Sequence, residues 1–200
     1  MTFAFLLTAF IVCITPGLGV VYVLSVTLGA GWRAGLWANV GCTIATVLHM
    51  IVAMAGLAAI LHTSAVLFQT IKFAGVAYLL WMAWAVLQST GSLAVTAAEG
   101  GSPARIVWRG ILLNILNPKL PLFFVAFLPQ FLPPTPDLRP MVELGLGFSA
   151  MTFATFLLYI VIAASGRRAI LGSPAVLTWM RRAFAASFAA LGARLAFERA

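Results

Sequence analysis

The chain has 200 residues, 63% of them hydrophobic and 8% charged, with a formal charge of +8 at pH 7 and a mean hydropathy of +1.09. Soluble domains are about 45–50% apolar and about 25% charged, so no soluble interior could bury this much apolar surface, and the solvent must be lipid. Continuous apolar runs exclude a β-barrel of alternating polarity, and basic residues scattered through short connections, rather than gathered in a patch, exclude a nucleic-acid site.

A spanning helix needs about 20 mostly apolar residues, and six runs meet that rule. The first, roughly Phe3–Leu28, has no basic stretch before it and reads as a retained helix rather than a signal peptide. Thr15-Pro16-Gly17 interrupts it. Pro16 has no N–H for the carbonyl of Val12 and Gly17 lets the backbone bend, so a kinked or partly unwound segment with exposed carbonyls is expected. A plain proline kink without a ligand is the alternative.

The connection Gly29–Gly35 carries a GxxxG spacing at Gly31 and Gly35, and Gly41 follows. Close helix packing is the plainer reading of these glycines, and a hinge is the functional one. The second span, Leu36–Leu61, holds His49 at its middle. An imidazole there is either hydrogen-bonded structure or a proton relay. The third span, Ala65–Leu87, follows a tight turn near His62 and carries Lys72 and Tyr78 as interface anchors.

After the polar connection Gln88–Trp108 comes the fourth span, Gly110–Phe131, which contains Asn114, Asn117, Pro118, Lys119 and Pro121. Amides, prolines and a lysine at membrane depth are costly, and an intramembrane charge is a functional-site hypothesis. Pro118 frees the carbonyl of Asn114 and Pro121 that of Asn117, and such groups must face protein or a wet cavity. All four acidic residues, Glu99, Asp137, Glu143 and Glu198, fall in loops or near span ends. A substrate carboxylate is therefore one partner for Lys119, and snorkelling to an interface is the alternative. The Pro-rich Leu132–Met141 leads to a fifth span, Val142–Ser165, and Gly166–Ala175 to a sixth, Val176–Phe197. Cys13 and Cys42 lie in different spans without CxxC or metal-ligand spacing, so both read as small buried thiols.

One set of connections carries Arg33, Arg105, Arg109, Arg167, Arg168, Arg181 and Arg182, and the opposite set Lys72, Arg139, Arg194 and Arg199. The excess places the first set in the cytoplasm and both termini in the periplasm. The fold expected is all-α and polytopic: a single transmembrane domain over 1–200, built as two inverted three-helix repeats of about 1–90 and about 109–200 around a cytoplasmic linker of about 88–108. The matching proline breaks in spans one and four carry that expectation. A membrane enzyme would need a positioned acid, base, nucleophile or metal cluster, none of which the spans offer. A non-transporting scaffold or assembly subunit would have little reason to break two helices at matching places.

Several motifs along the chain resemble one family. They are Thr15-Pro16-Gly17; Gly29 with Arg33-Ala34-Gly35 and Gly41; His49; Lys72, Gly75 and Ala77-Tyr78-Leu79; and Arg109-Gly110 with Asn114. Most specific is Asn117-Pro118-Lys119 followed by Phe123-Phe124 and Phe127-Leu128-Pro129-Gln130-Phe131, and Gly192 with Arg194-Leu195 ends the pattern. Together they resemble the lysine-exporter and homoserine/threonine-efflux (LysE/RhtB-type) family of small bacterial inner-membrane amino-acid exporters. The resemblance implies secondary-active efflux of a small amino acid or derivative, antiport with protons and a homodimer. No cofactor, metal or nucleic acid is implied. The site residues expected are Pro16, Gly17, Asn114, Asn117, Pro118 and Lys119, with His49 for proton coupling and Gly31, Gly35 and Gly41 for hinge or packing. Where the family motif continues Pro-Gly-Pro-Asn, this chain has Leu18 and Gly19, so its substrate or binding mode is expected to differ. Export of another small solute is the transport alternative.

Overall fold

A computed structural model describes residues 1–15, 17–61, 101–117, 119–124, 128–132 and 138–165, with scattered positions between 70 and 88 and between 178 and 196. Pro16 and Pro118 lie outside the described residues, as do Lys72, Gly75, Tyr78, the turn at His62, residues 89–100 of the linker, Arg167, Arg168, Arg181, Glu99, Asp137 and Glu198. The six-span count and the repeat boundaries depend on spans three and six, most of which also lies outside them. Every element assigned among the described residues is helical.

Helix α1, Phe3–Ile14, opens on Thr2, whose hydroxyl accepts from the Phe5 N–H at 3.3 Å. It stops just before Pro16, whose missing N–H ends the ladder. Helix α2, Leu18–Ala30, resumes at 54° to α1, and the pair together is apolar and long enough for one broken span. Gly31 has φ 84°, a conformation that strains any residue with a side chain, and reverses the chain into α3, Trp32–Leu61. The connection expected over Gly29–Gly35 thus contracts to Gly31, and α3 starts at Trp32 rather than Leu36. Its stretch Trp32–Gly56 can cross a membrane by length and hydropathy.

Helix α4, Pro103–Ile115, begins where Ser102 accepts from the Arg105 N–H at 3.4 Å and Pro103 fills the first position, at which an N–H has no helical partner anyway. The linker expected to run to Trp108 therefore ends at Ser102. A cap followed by proline starts a helix regardless of the polarity that follows. The fourth span expected over Gly110–Phe131 is not one helix. After α4 come a break at Leu116–Asn117, the four-residue α5 (Lys119–Leu122), a π-helical turn at Phe123–Phe124 and a 3-10 turn at Leu128–Phe131. Pro118, Pro121 and Pro129 each withhold an N–H along this stretch. Helix α6, Leu138–Ala164, is 27 residues long with mean hydropathy 2.0, enough to cross a membrane. It starts before the expected Val142, with Arg139 and Glu143 paired at 3.0 Å on its exposed first turns.

Contacts fix the helix directions. Gly41 of α3 meets Val107 of α4, and His49 meets Asn114, so α3 and α4 run parallel. Asn39 donates to the Phe153 carbonyl at 3.1 Å while Gly145 faces Met50, so α6 runs antiparallel to α3. A Cβ on Gly41 would strike the Val107 backbone, and one on Gly110 would lie 3.0 Å from the Ala38 carbonyl oxygen. These two glycines let α3 and α4 pack backbone to backbone. Two apolar clusters result. One gathers Phe5, Met50, Phe123, Phe124, Leu128 and Phe148, and the other Val20, Val23, Leu24, Ile106, Phe156 and Ile160. On α6, Thr152 sits midway between Phe148 of the first and Phe156 of the second, and that polar layer contains the site.

Candidate functional site

The break at Thr15 and Gly17 between α1 and α2 faces the break at Leu116 and Asn117 between α4 and α5. Lys119 Nζ donates to the Thr15 carbonyl at 2.8 Å across them. The Thr15 side chain turns back on its own helix, donating to the Ile11 carbonyl. Tyr159 of α6 secures the same helix end by donating its hydroxyl to the Ile14 carbonyl at 2.6 Å. A Cβ on Gly17 would lie 3.5 Å from Asn117 Nδ2 and 3.7 Å from Lys119 Cδ, so the glycine backbone forms one wall against both side chains.

Asn114, Asn117 and Lys119 are 2%, 6% and 8% exposed, so their polar atoms must be satisfied internally. A single directed chain does this. The Lys119 N–H can only donate, and it donates to Asn117 Oδ1 at 3.2 Å. Asn117 Nδ2 then donates to Asn114 Oδ1 at 3.2 Å, and Asn114 Nδ2 to the Cys42 carbonyl at 2.9 Å. The carbonyl of Asn114, expected free for a ligand, accepts from the Asn117 N–H at 3.1 Å and meets His49 Nε2 at 3.2 Å. A carbonyl only accepts, so Nε2 carries the proton in this contact. In this conformation both asparagines and the Asn114 carbonyl are held by the protein itself.

A small cavity lies at the crossing, lined by Cys13, Gly17, Gly19, Asn114, Asn117, Lys119, Phe148, Thr152 and Phe156 among others. Its volume of about 20 Å³ holds roughly one water molecule and no amino acid. Among the described residues that line it there is no carboxylate.

Of the expected site residues, the structure brings Gly17, Asn114, Asn117 and Lys119 together and sets His49 against Asn114 from α3. Pro16 and Pro118 lie outside the described residues. Gly31, Gly35 and Gly41 stand apart from the cavity. Gly31 makes the α2–α3 turn, and a Cβ on Gly35 would collide with the Thr27 side chain. Sequence reasoning misses Cys13, Gly19, Phe148, Thr152, Phe156 and Tyr159 as site residues. Phe148, Thr152 and Phe156 recur every four residues on one helical face, a weak signal that any packed helix shares. In the sequence Gly19 stands out only as a departure from the family motif, yet a Cβ there would lie 2.8 Å from Asn114 Oδ1 and 3.1 Å from Phe156 Cζ.

The profile of the LysE type translocator family matches residues 10–199, and the chain belongs to that family. It is 34% identical to an "uncharacterized membrane protein" of Vibrio cholerae serotype O1, over 98% of this chain and 97% of the relative. It is 29% identical to a homoserine/homoserine lactone efflux protein of Salmonella typhimurium, over 98% and 96% of the two chains. Over 62% of this chain and 60% of the relative, it is 36% identical to a leucine efflux protein of Enterobacter sp. (strain 638). No solved structure matches.

Proposed function

We propose that this LysE-family chain exports a small amino acid or amino-acid derivative across the bacterial inner membrane, binding it where the two broken helices meet. The observation that carries this reading is the Lys119–Thr15 contact at 2.8 Å, in which a buried amino group rests on a main-chain carbonyl, with no carboxylate among the described residues that line the cavity. A substrate carboxylate replaces that carbonyl on Lys119. The released Thr15 carbonyl takes the substrate ammonium, as carbonyls of interrupted helices do in transporters. The relatives named for homoserine and leucine efflux support the substrate class.

Because the cavity of about 20 Å³ holds about one water, binding requires the two breaks to part, and alternating access follows from parting them toward one side and then the other. Inward and outward conformers must differ in substrate and proton affinity for a gradient to drive export. In this reading His49, whose Nε2 meets the Asn114 carbonyl at 3.2 Å, couples protons to that change. The reading includes two inverted repeats of about 1–90 and 109–200 in one domain, Arg33 and Arg105 in the cytoplasm with both termini in the periplasm, and a homodimer in the bilayer.

The test is efflux of labelled amino acids from preloaded vesicles. Export by the wild type, lost in Lys119→Ala and abolished by an uncoupler, supports proton-coupled export through this site. Export that persists with the uncoupler removes the proton coupling, and well-inserted wild type that moves no amino acid overturns the function.

A further inference from the structure

We propose that Phe148, Thr152 and Phe156 of α6, with Cys13 of α1, form the compartment for the substrate's side chain and select a neutral side chain bearing a hydroxyl. This rests on the exporter reading above, which assigns the substrate's charged ends to Lys119 and the carbonyls but leaves its side chain unplaced.

Thr152 has one hydroxyl proton, and it goes to the Phe148 carbonyl at 2.9 Å. The 3.3 Å contact between Cys13 Sγ and Thr152 Oγ1 must then use the thiol proton. With both protons committed, the pair has only lone pairs left for a ligand. It can accept a hydrogen bond and cannot donate one. A substrate hydroxyl supplies that donor, whereas a methyl in its place covers the acceptors without pairing them. A cationic side chain finds no carboxylate among the described lining residues, and an anionic one finds no donor on this wall.

The aromatic walls limit size. Phe148 stacks on Phe123 at 4.0 Å between ring centres and 18° between planes, and it meets Phe124 edge-on at 5.3 Å. Held on two sides, it cannot swing aside cheaply. Phe156 closes the opposite end of the stripe, with its tip against Gly19. The compartment therefore suits a compact side chain.

The test compares export of homoserine with norvaline, which has a methyl where homoserine has a hydroxyl. Wild type, Thr152→Val, Thr152→Ala and Thr152→Ser are assayed in vesicles at matched protein level. The expected result is a wild-type preference for homoserine that falls about three- to tenfold in Thr152→Val and Thr152→Ala and survives in Thr152→Ser. The alanine variant reads the same ratio if the valine variant does not insert. Wild type that favours norvaline, or a ratio unchanged in the Val or Ala variant, overturns the compartment while leaving the exporter reading intact. Export of no amino acid by folded wild type overturns both.

Discussion

The amino group of Lys119 and the carbonyl of Thr15, 104 residues apart in the chain, meet at 2.8 Å. Thr15 lies in one helix break and Lys119 opens the helix after the other, so the bond latches the two breaks to each other. A latch made of one side chain and one main-chain oxygen can be exchanged for a ligand without dismantling a helix.

Lys119→Ala leaves the Thr15 carbonyl without this donor and the cavity without a cation. A charge-assisted bond of about 1.5–3 kcal/mol corresponds to a loss of about ten- to a hundredfold in efflux. Lys119→Arg should not restore it, because a planar guanidinium is bulkier than an ammonium in a cavity of about 20 Å³. Efflux at matched membrane level checks both: full activity in Lys119→Ala would confine Lys119 to a structural role, and full activity in Lys119→Arg would show that any cation suffices.

Two similar substitutions in the amide chain should be unequal, because Asn117 is the one closer to Lys119. Asn114→Asp cannot donate to the Cys42 carbonyl and buries a carboxylate at a 2%-exposed position. Asn117→Asp likewise loses its donated bond, to Asn114 Oδ1, but its carboxylate is two residues from Lys119, whose basic side chain lines the same cavity and offsets the buried charge. Asn114→Asp is expected to cost about 2–3 kcal/mol and Asn117→Asp less. Thermal unfolding in detergent would contradict the offset by Lys119 if the order were reversed.

Three glycines should respond differently to alanine. Gly41→Ala places a Cβ against the Val107 backbone, which cannot step aside, and is expected to cost about 1–3 kcal/mol. Gly145→Ala meets the flexible end of Met50 and should cost less. Gly56→Ala meets nothing within 4 Å and should be neutral or slightly stabilising through helix propensity. Unfolding midpoints of the three variants give the comparison, and equal losses would remove the close α3–α4 approach as the cause.

The chain's two cysteines provide a reporter of opening. Cys13 lines the cavity, whereas Cys42 lies at the α3–α4 contact with its thiol toward the Gly110 carbonyl at 3.7 Å. A permeant maleimide should label Cys13 in a Cys42→Ala background slowly at rest and faster during transport. Cys42 in a Cys13→Ala background should stay unreactive throughout. Equal, substrate-independent labelling of both would contradict an opening localised at the helix breaks.

Much of this architecture is legible in the amino-acid sequence. Apolar runs with few charges are forced into helices by lipid, because unpaired backbone groups cannot be tolerated there. Prolines without an N–H fix where those helices break, so the interruptions after Ile14 and Ile115 follow from Pro16 and Pro118. The apolar count could not reveal that residues 110–131 form several short pieces, since hydropathy does not register hydrogen-bond geometry. Nor could it show that α4 starts at Pro103, where the cap-and-proline signal outweighs a polar composition.

Local backbone chemistry, readable residue by residue, thus dictates the solvent, the helical class, the positions of the breaks and the residue types beside them. Tertiary packing alone settles that the two breaks touch, that Asn114, Asn117 and Lys119 form one directed chain, and that α6 supplies the opposite wall through Phe148, Thr152 and Phe156. Contacts such as Cys13–Thr152 and Thr15–Lys119 join residues more than a hundred positions apart. They depend on how closely the elements approach, and Gly17 and Gly19 keep that approach close by leaving space beside Lys119, Asn114 and Phe156.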